Sequence, residues 1–141
     1  MARFLIVDDD PVSREVLNDI LTPHGECDVV ADGNDAVEAV RQALENDNPY
    51  SMVCLDILMP HTGGHDALRA IRRLESKHGL AASDGVKVIM TTAVRDSRHC
   101  LQAFREGCES YLAKPINATE LLQQMYALGV LEQEETAKAA D

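Results

Sequence analysis

The chain has 141 residues, which is enough for one domain with its own hydrophobic core but too short for a second catalytic module. Hydrophobic residues make up 45% and charged residues 26%, as in ordinary globular proteins, and no apolar stretch is long enough to span a bilayer. The net charge of -11 argues against nucleic acid or a membrane as a direct partner, and without a signal-peptide pattern we expect a cytoplasmic protein.

The first third of the chain predicts two strands, each followed by a helix. Residues 3–7 form a short apolar strand, and Pro11 suits the first position of a helix that Asp10 can cap. Residues 27–31 predict the second strand, and Asn34 can cap the second helix. The apolar stripe predicted for the first helix comprises Val12, Val16, Leu17, Ile20 and Leu21.

The rest of the chain repeats this alternation three times. An apolar run at 52–59, interrupted only by Asp56 and stopped by Pro60, predicts a strand buried on both faces. Further strands are predicted at 86–92 and 109–113, and Asp96 and Asn117 can cap the helices that follow them. The last helix fades into an acidic segment, so we expect one domain over residues 1–130 and a flexible tail over residues 131–141.

Five strands alternating with five helices indicate the α/β class. Such alternation favours a parallel sheet with helices on both faces, joined by right-handed crossovers. In an open sheet of this kind, ligands bind at the edge where the strands end.

Chemically reactive side chains stand at four of the five predicted strand ends. They are Asp8 and Asp9, Asp56, Thr92 and Lys114. Carboxylates crowded at one edge repel one another unless a cation lies among them, and hard oxygen ligands suit Mg²⁺ or Mn²⁺. A lysine and a hydroxyl suit phosphoryl oxygens, and Asp56 is the carboxylate that can attack phosphorus.

Four motifs carry a resemblance to a known family. Val7-Asp8-Asp9, Leu55-Asp56-Ile57-Leu58-Met59-Pro60, Thr92-Ala93 and Lys114-Pro115 resemble the signature of receiver domains of two-component response regulators. The resemblance extends from about Arg3 to Gly129. It implies a flavodoxin-like, doubly wound sheet of strand order 2-1-3-4-5.

The resemblance also implies a role for each residue at the strand ends. Asp56 corresponds to the phosphoacceptor, which receives its phosphoryl group from a sensor histidine kinase or a phosphotransfer protein. Asp9 corresponds to the direct ligand of the metal ion, Asp8 to an acid acting mainly through bound water, and the backbone carbonyl of Leu58 to the third protein ligand. Lys114 corresponds to the lysine that pairs with the phosphoryl group.

Two further residues resemble the family's conformational switch. Thr92 matches the hydroxyl that moves toward the phosphoryl group, and Tyr111 the aromatic ring that turns inward. In the family, this change shifts the population of one face, formed by the fourth helix, fifth strand and fifth helix, toward a partner-binding arrangement. We therefore expect binding to a downstream protein whose identity the sequence leaves open, by a monomer or a phosphorylation-dependent dimer.

Some positions depart from the family pattern or leave alternatives open. Leu58 and Val94 cannot orient an attacking water, which predicts slow autodephosphorylation, and Gly63-Gly64 replaces the usual Asp-Gly pair. His61 and His65 are expected to face solvent. The chain could be a stand-alone receiver or part of a longer, for example DNA-binding, regulator. A phosphatase with an aspartyl-phosphate intermediate is disfavoured, because Leu58 stands where such enzymes carry an acid, so we expect no turnover enzyme.

Overall fold

Five parallel strands form a single sheet in the order β2-β1-β3-β4-β5. The computed structural model describes residues 2–59, 62–81, 84–93 and 97–132, with backbone only for 97–100. The strands are β1 (Arg3–Val7), β2 (Glu26–Val30), β3 (Met52–Asp56), β4 (Lys87–Thr92) and β5 (Ser110–Ala113). This architecture confirms the predicted α/β class and the strand order 2-1-3-4-5.

Helices cover both faces of the sheet. They are α1 (Pro11–Leu21), α2 (Gly33–Glu45), α3 (Gly64–Lys77), α4 (Ser97–Arg105) and α5 (Ala118–Ala127). Residues of α2, α3 and α4 pack into one hydrophobic cluster, and residues of α1 and α5 pack into a second cluster on the opposite face. Within the part of the chain that the structure describes, no helix combines the length and the apolar character that crossing a membrane requires.

The strand sequences explain why both faces are covered. In β1, Phe4 and Ile6 belong to the α1/α5 cluster, whereas Leu5 and Val7 belong to the α2/α3/α4 cluster. All five residues of β3 are buried, as its apolar run predicts. The central strand therefore ends with Asp56 inside the protein rather than on its surface.

Two predicted helix details are wrong. The N-cap of α2 is Asp32, whose side chain accepts a hydrogen bond from the Asp35 backbone N–H at 2.8 Å, and the Asn34 side chain instead accepts one from the Thr62 hydroxyl. In α1, Leu17 is fully buried but Val12 is 67% exposed. The caps at Asp10 and Asn117 are confirmed, whereas Asp96 lies outside the described residues.

Strand β2 forms one edge of the sheet, and its side chains are largely exposed. Two of its exposed residues, Glu26 and Asp28, are acidic. Asp28 accepts a hydrogen bond from the Tyr50 hydroxyl at 2.6 Å, and Arg3 lies over the Tyr50 ring at 4.4 Å. Burial and the neighbouring Asp28 raise the pKa of Tyr50 to about 12, so this hydroxyl remains a donor at neutral pH.

Candidate functional site

The sheet brings the predicted acidic residues together at the edge where the strands end. Asp8 and Asp9 directly follow β1, and Asp56 is the last residue of the neighbouring strand β3. One carboxylate oxygen from each of these three residues lies within 4.8 Å of the others. Asp8 and Asp56 are buried and Asp9 is exposed, so the group is open to solvent on one side.

Lys114 links the end of β5 to this acidic group. Its Nζ lies 2.8 Å from Oδ2 of Asp8 and 3.2 Å from Oδ2 of Asp56. Burial alone would lower the pKa of Lys114, but hydrogen bonds to and charges on Asp8 and Asp56 outweigh that effect and raise it. Lys114 is therefore a fixed positive charge, placed between the two buried carboxylates.

The pKa of the Asp56 carboxyl is raised at this edge. Burial and the nearby charge of Asp8 raise its pKa from 3.8 to about 6, against the opposing effects of Lys114 and of the Leu58 backbone N–H at 3.3 Å. One lysine thus leaves the negative charge incompletely compensated. Mg²⁺ prefers hard oxygen ligands and keeps some coordination positions open to water. The three carboxylates supply such oxygens and one of them faces solvent, so these residues fit a Mg²⁺ ion.

Backbone and side-chain contacts hold the Asp8–Asp10 turn in place. Oδ1 of Asp8 accepts a hydrogen bond from the Asp10 backbone N–H at 2.9 Å, and Asp10 caps α1. Arg14 donates from Nη1 to the Asp8 carbonyl at 2.9 Å. Arg14 was not among the residues predicted from the sequence, although a basic residue four positions after Asp10, near the start of α1, was a usable signal.

The loop between β3 and α3 passes tightly against the end of β3. A Cβ on Gly64 would lie 2.3 Å from the Asp56 carbonyl oxygen, a distance that real Cβ atoms do not adopt. A Cβ on Gly63 would come no closer than 3.4 Å to the Ile57 carbonyl oxygen. Of the two consecutive glycines, only Gly64 is therefore required by the close approach of the backbone.

The prediction that His65 faces solvent is wrong. Its side chain is 14% exposed, and its Nδ1 lies 2.7 Å from Oε1 of Glu106, beyond the end of α4. Arg69, one helical turn after His65 on α3, also bonds Glu106. These contacts fasten the end of α4 to α3. His61 lies outside the described residues.

Three of the remaining predicted residues lie on β4, on β5 and in the loop that follows β3. Thr92 is fully buried at the end of β4, and its carbonyl accepts the Lys114 backbone N–H at 2.8 Å. Tyr111 on β5 is partly buried against the α2/α3/α4 cluster. The side chain of Leu58 is 55% exposed. Val94 lies outside the described residues.

Comparison with known proteins agrees with this fold. The family model described as the response regulator receiver domain matches residues 4–126, and the chain belongs to this family. The chemotaxis protein CheY of Bacillus subtilis is 30% identical over 121 residues, which cover 86% of this chain and 92% of that protein. A further relative is the DNA-binding response regulator MtrA of Mycolicibacterium smegmatis, which is 32% identical over 126 residues.

This match to MtrA covers 89% of the chain but only 49% of MtrA, so the chain spans about half the length of such relatives. Among solved structures, the CheX–CheY–BeF₃–Mg²⁺ complex of Borrelia burgdorferi contains a similar chain. The TM-score is 0.77 and the identity 26%, over 92% of this chain and 90% of that one.

Proposed function

We propose that this chain works in two-component signal transduction by accepting a phosphoryl group on Asp56. The observation that carries the proposal is the buried Asp56 carboxylate, placed within 4.8 Å of the Asp8 and Asp9 carboxylates and beside Lys114. Membership of the receiver family supports the same reading. We assign the phosphoacceptor function to residues 1–130. We also propose that the protein works in the cytoplasm, where a sensor kinase would act.

Each residue of the edge contributes a different part of the chemistry. A carboxylate oxygen of Asp56 forms the bond to phosphorus while the bond from phosphorus to the donor breaks, and the donor's leaving atom keeps that electron pair. Lys114 supplies positive charge for the phosphoryl oxygens. Asp8, Asp9, Asp56 and the Leu58 carbonyl would hold Mg²⁺, which neutralises charge on the transferred group when bound. The Borrelia CheY structure, solved with Mg²⁺ and BeF₃, supports this assignment.

We further propose that Thr92 and Tyr111 transmit the phosphorylation state to the face formed by α4, β5 and α5. Two large apolar side chains on α4, Leu101 and Phe104, are 54% and 46% exposed. Their spacing of three residues puts them on one side of the helix, where a partner protein could cover them. This arrangement supports a downstream protein target, reached by a monomer or by a phosphorylation-dependent dimer.

A protein donor is supported by apolar side chains near the acidic edge. On α1, Val12 and Val16 are 67% and 41% exposed, and Leu58 follows Asp56 in the next loop with 55% exposure. Exposed apolar groups beside a reactive carboxylate suit docking of another polypeptide, such as a sensor histidine kinase or a phosphotransfer protein. The net charge of -11 disfavours nucleic acid as a direct partner of this domain.

The second candidate is that this chain is part of a longer, DNA-binding regulator, because MtrA is about twice as long as the stretch that this chain matches. In that case, the proposed chemistry at Asp56 is unchanged, and the output belongs to another domain. A phosphatase has less support, because the exposed Leu58 side chain offers no acid or base beside Asp56.

The test is intact mass spectrometry after incubation with acetyl phosphate and Mg²⁺. We expect one added phosphoryl group, which is absent in Asp56→Asn and absent when EDTA replaces Mg²⁺. Asp19→Asn, an exposed aspartate on α1, is the matched control and should be modified like the native chain. An unmodified native chain, or an adduct that persists in Asp56→Asn, would contradict the proposal.

A further inference from the structure

A second threonine, Thr91, lies directly before Thr92 on β4. Its side chain has no exposed surface, and its Oγ1 has no hydrogen-bond partner within the residues that the structure describes. A buried hydroxyl without a partner is costly and calls for an explanation, such as a role in a reaction or a bound molecule. Thr91 lies outside the four sequence motifs.

The strand pairing places Thr91 beside Asp56. The two residues are partners in the β3–β4 ladder, and the Ile57 backbone N–H donates to the Thr91 carbonyl at 3.0 Å. Side chains of residues paired across neighbouring strands point to the same face of a sheet. The Thr91 hydroxyl therefore stands on the Asp56 side of β4, on the face covered by α1 and α5.

On the other side of β4, the neighbours of Thr91 at β5 do not satisfy its hydroxyl. Its ladder partner on β5 is Leu112, an apolar residue that belongs to the α1/α5 cluster. Lys114 follows two positions later and directs its ammonium group to Asp8 and Asp56. Of the two ladder partners of Thr91, Asp56 is the one whose side chain can accept a hydrogen bond.

We propose that Thr91 is a positioning residue for Asp56, an inference that rests on the proposed phosphoacceptor function. When one carboxylate oxygen of Asp56 bonds to phosphorus, the other becomes the carbonyl oxygen of an acyl phosphate. Lys114, which holds Oδ2 of Asp56 at 3.2 Å in this structure, is then needed at the phosphoryl group. The Thr91 hydroxyl donates a hydrogen bond to the oxygen that Lys114 leaves, and no proton is transferred in this contact.

The experiment compares phosphorylation rates of the native chain, Thr91→Val and Thr91→Ser over a range of acetyl phosphate concentrations at saturating Mg²⁺. Valine keeps the shape of threonine without the hydroxyl, whereas serine keeps the hydroxyl. We expect Thr91→Val to lower the saturating rate about fivefold, the effect of losing one hydrogen bond to a neutral carbonyl oxygen. The half-saturating acetyl phosphate concentration and the Mg²⁺ affinity should not change, and Thr91→Ser should restore most of the rate.

Urea unfolding distinguishes positioning from a structural role. Since Thr91 has no partner here, Thr91→Val should be at least as stable as the native chain, so a lower rate cannot come from unfolding. Should valine prevent folding, Thr91→Ala tests the same loss of the hydroxyl. Equal saturating rates in the native chain and a folded hydroxyl-free variant would overturn this inference alone. A native chain that takes no phosphoryl group would overturn the proposed function, and this inference with it.

Discussion

Replacing Asp56 by asparagine should stabilise the metal-free protein at neutral pH. The pKa of Asp56 rises from 3.8 to about 6 on folding, because the carboxyl is buried and faces Asp8. Each pKa unit corresponds to about 1.4 kcal/mol, so the charged side chain costs about 3 kcal/mol in the folded state at pH 7.5. An isosteric neutral amide avoids this cost, and we expect a gain of about 2 to 3 kcal/mol.

The stability gain expected for Asp56→Asn depends on pH. Because the folded pKa lies above the unfolded one, the folded chain holds the Asp56 proton more tightly, and stability is lost as the pH rises from about 4 to about 6. The advantage of Asp56→Asn should therefore fall to about half at pH 5. Urea unfolding in EDTA, followed by circular dichroism at pH 7.5 and pH 5, measures both values.

The same unfolding experiment is repeated with Mg²⁺ in place of EDTA. A ligand that binds only the folded state stabilises it, so Mg²⁺ should stabilise the native chain much more than Asp56→Asn and narrow the gap between them. Asp19→Asn, at an exposed position, should leave the stability nearly unchanged. An Asp56→Asn protein that is no more stable than the native chain at pH 7.5 in EDTA would refute the electrostatic reasoning.

Three further predictions concern the same edge of the sheet. Leu58→Asn places a polar group where the native side chain is exposed and apolar. The amide should orient a water molecule and speed loss of the phosphoryl group roughly tenfold, as followed by intact mass spectrometry, and an unchanged lifetime would contradict this. The affinity for Mg²⁺, measured by calorimetry, should fall as the pH drops below about 6, because protons then compete with the ion for Asp56. An affinity that does not change with pH would exclude this competition. Gly64→Ala should lower the free energy of unfolding in urea by about 2 to 3 kcal/mol and should weaken Mg²⁺ binding. Gly63→Ala is the nearly neutral control, and equal effects of the two substitutions would show that the close approach of the backbone is not the cause.

The features that the sequence predicted correctly depend on strong local patterns. The apolar run at 52–59 predicted a strand buried on both faces with Asp56 near its end, and the structure confirms a buried strand over Met52–Asp56. Because parallel strands end at one edge, the meeting of Asp8, Asp9 and Lys114 there followed from the order of elements alone. Their distances and the raised pKa of Asp56 required coordinates.

The errors have equally local causes. At 100° per residue, Val12 lies about 180° around the helix from Leu21, so the predicted stripe of α1 was wider than the face that a helix can bury. Asp32 and Asn34 are both good cap residues, and only the extended backbone at Asp32 decides between them. His65 meets Glu106 across 41 positions of sequence, and no local pattern reports such a contact.

The exposed edge at β2 bears on how the protein behaves at high concentration. An unpaired edge strand can pair with the same strand of another copy and extend the sheet into an aggregate. Here Glu26 carries negative charge at that edge, and Asp28 carries a second one that Arg3 offsets in part through an ion pair at 3.2 Å. Two such edges brought side by side therefore repel each other. The acidic groups at this edge thus help to keep folded copies of the protein apart.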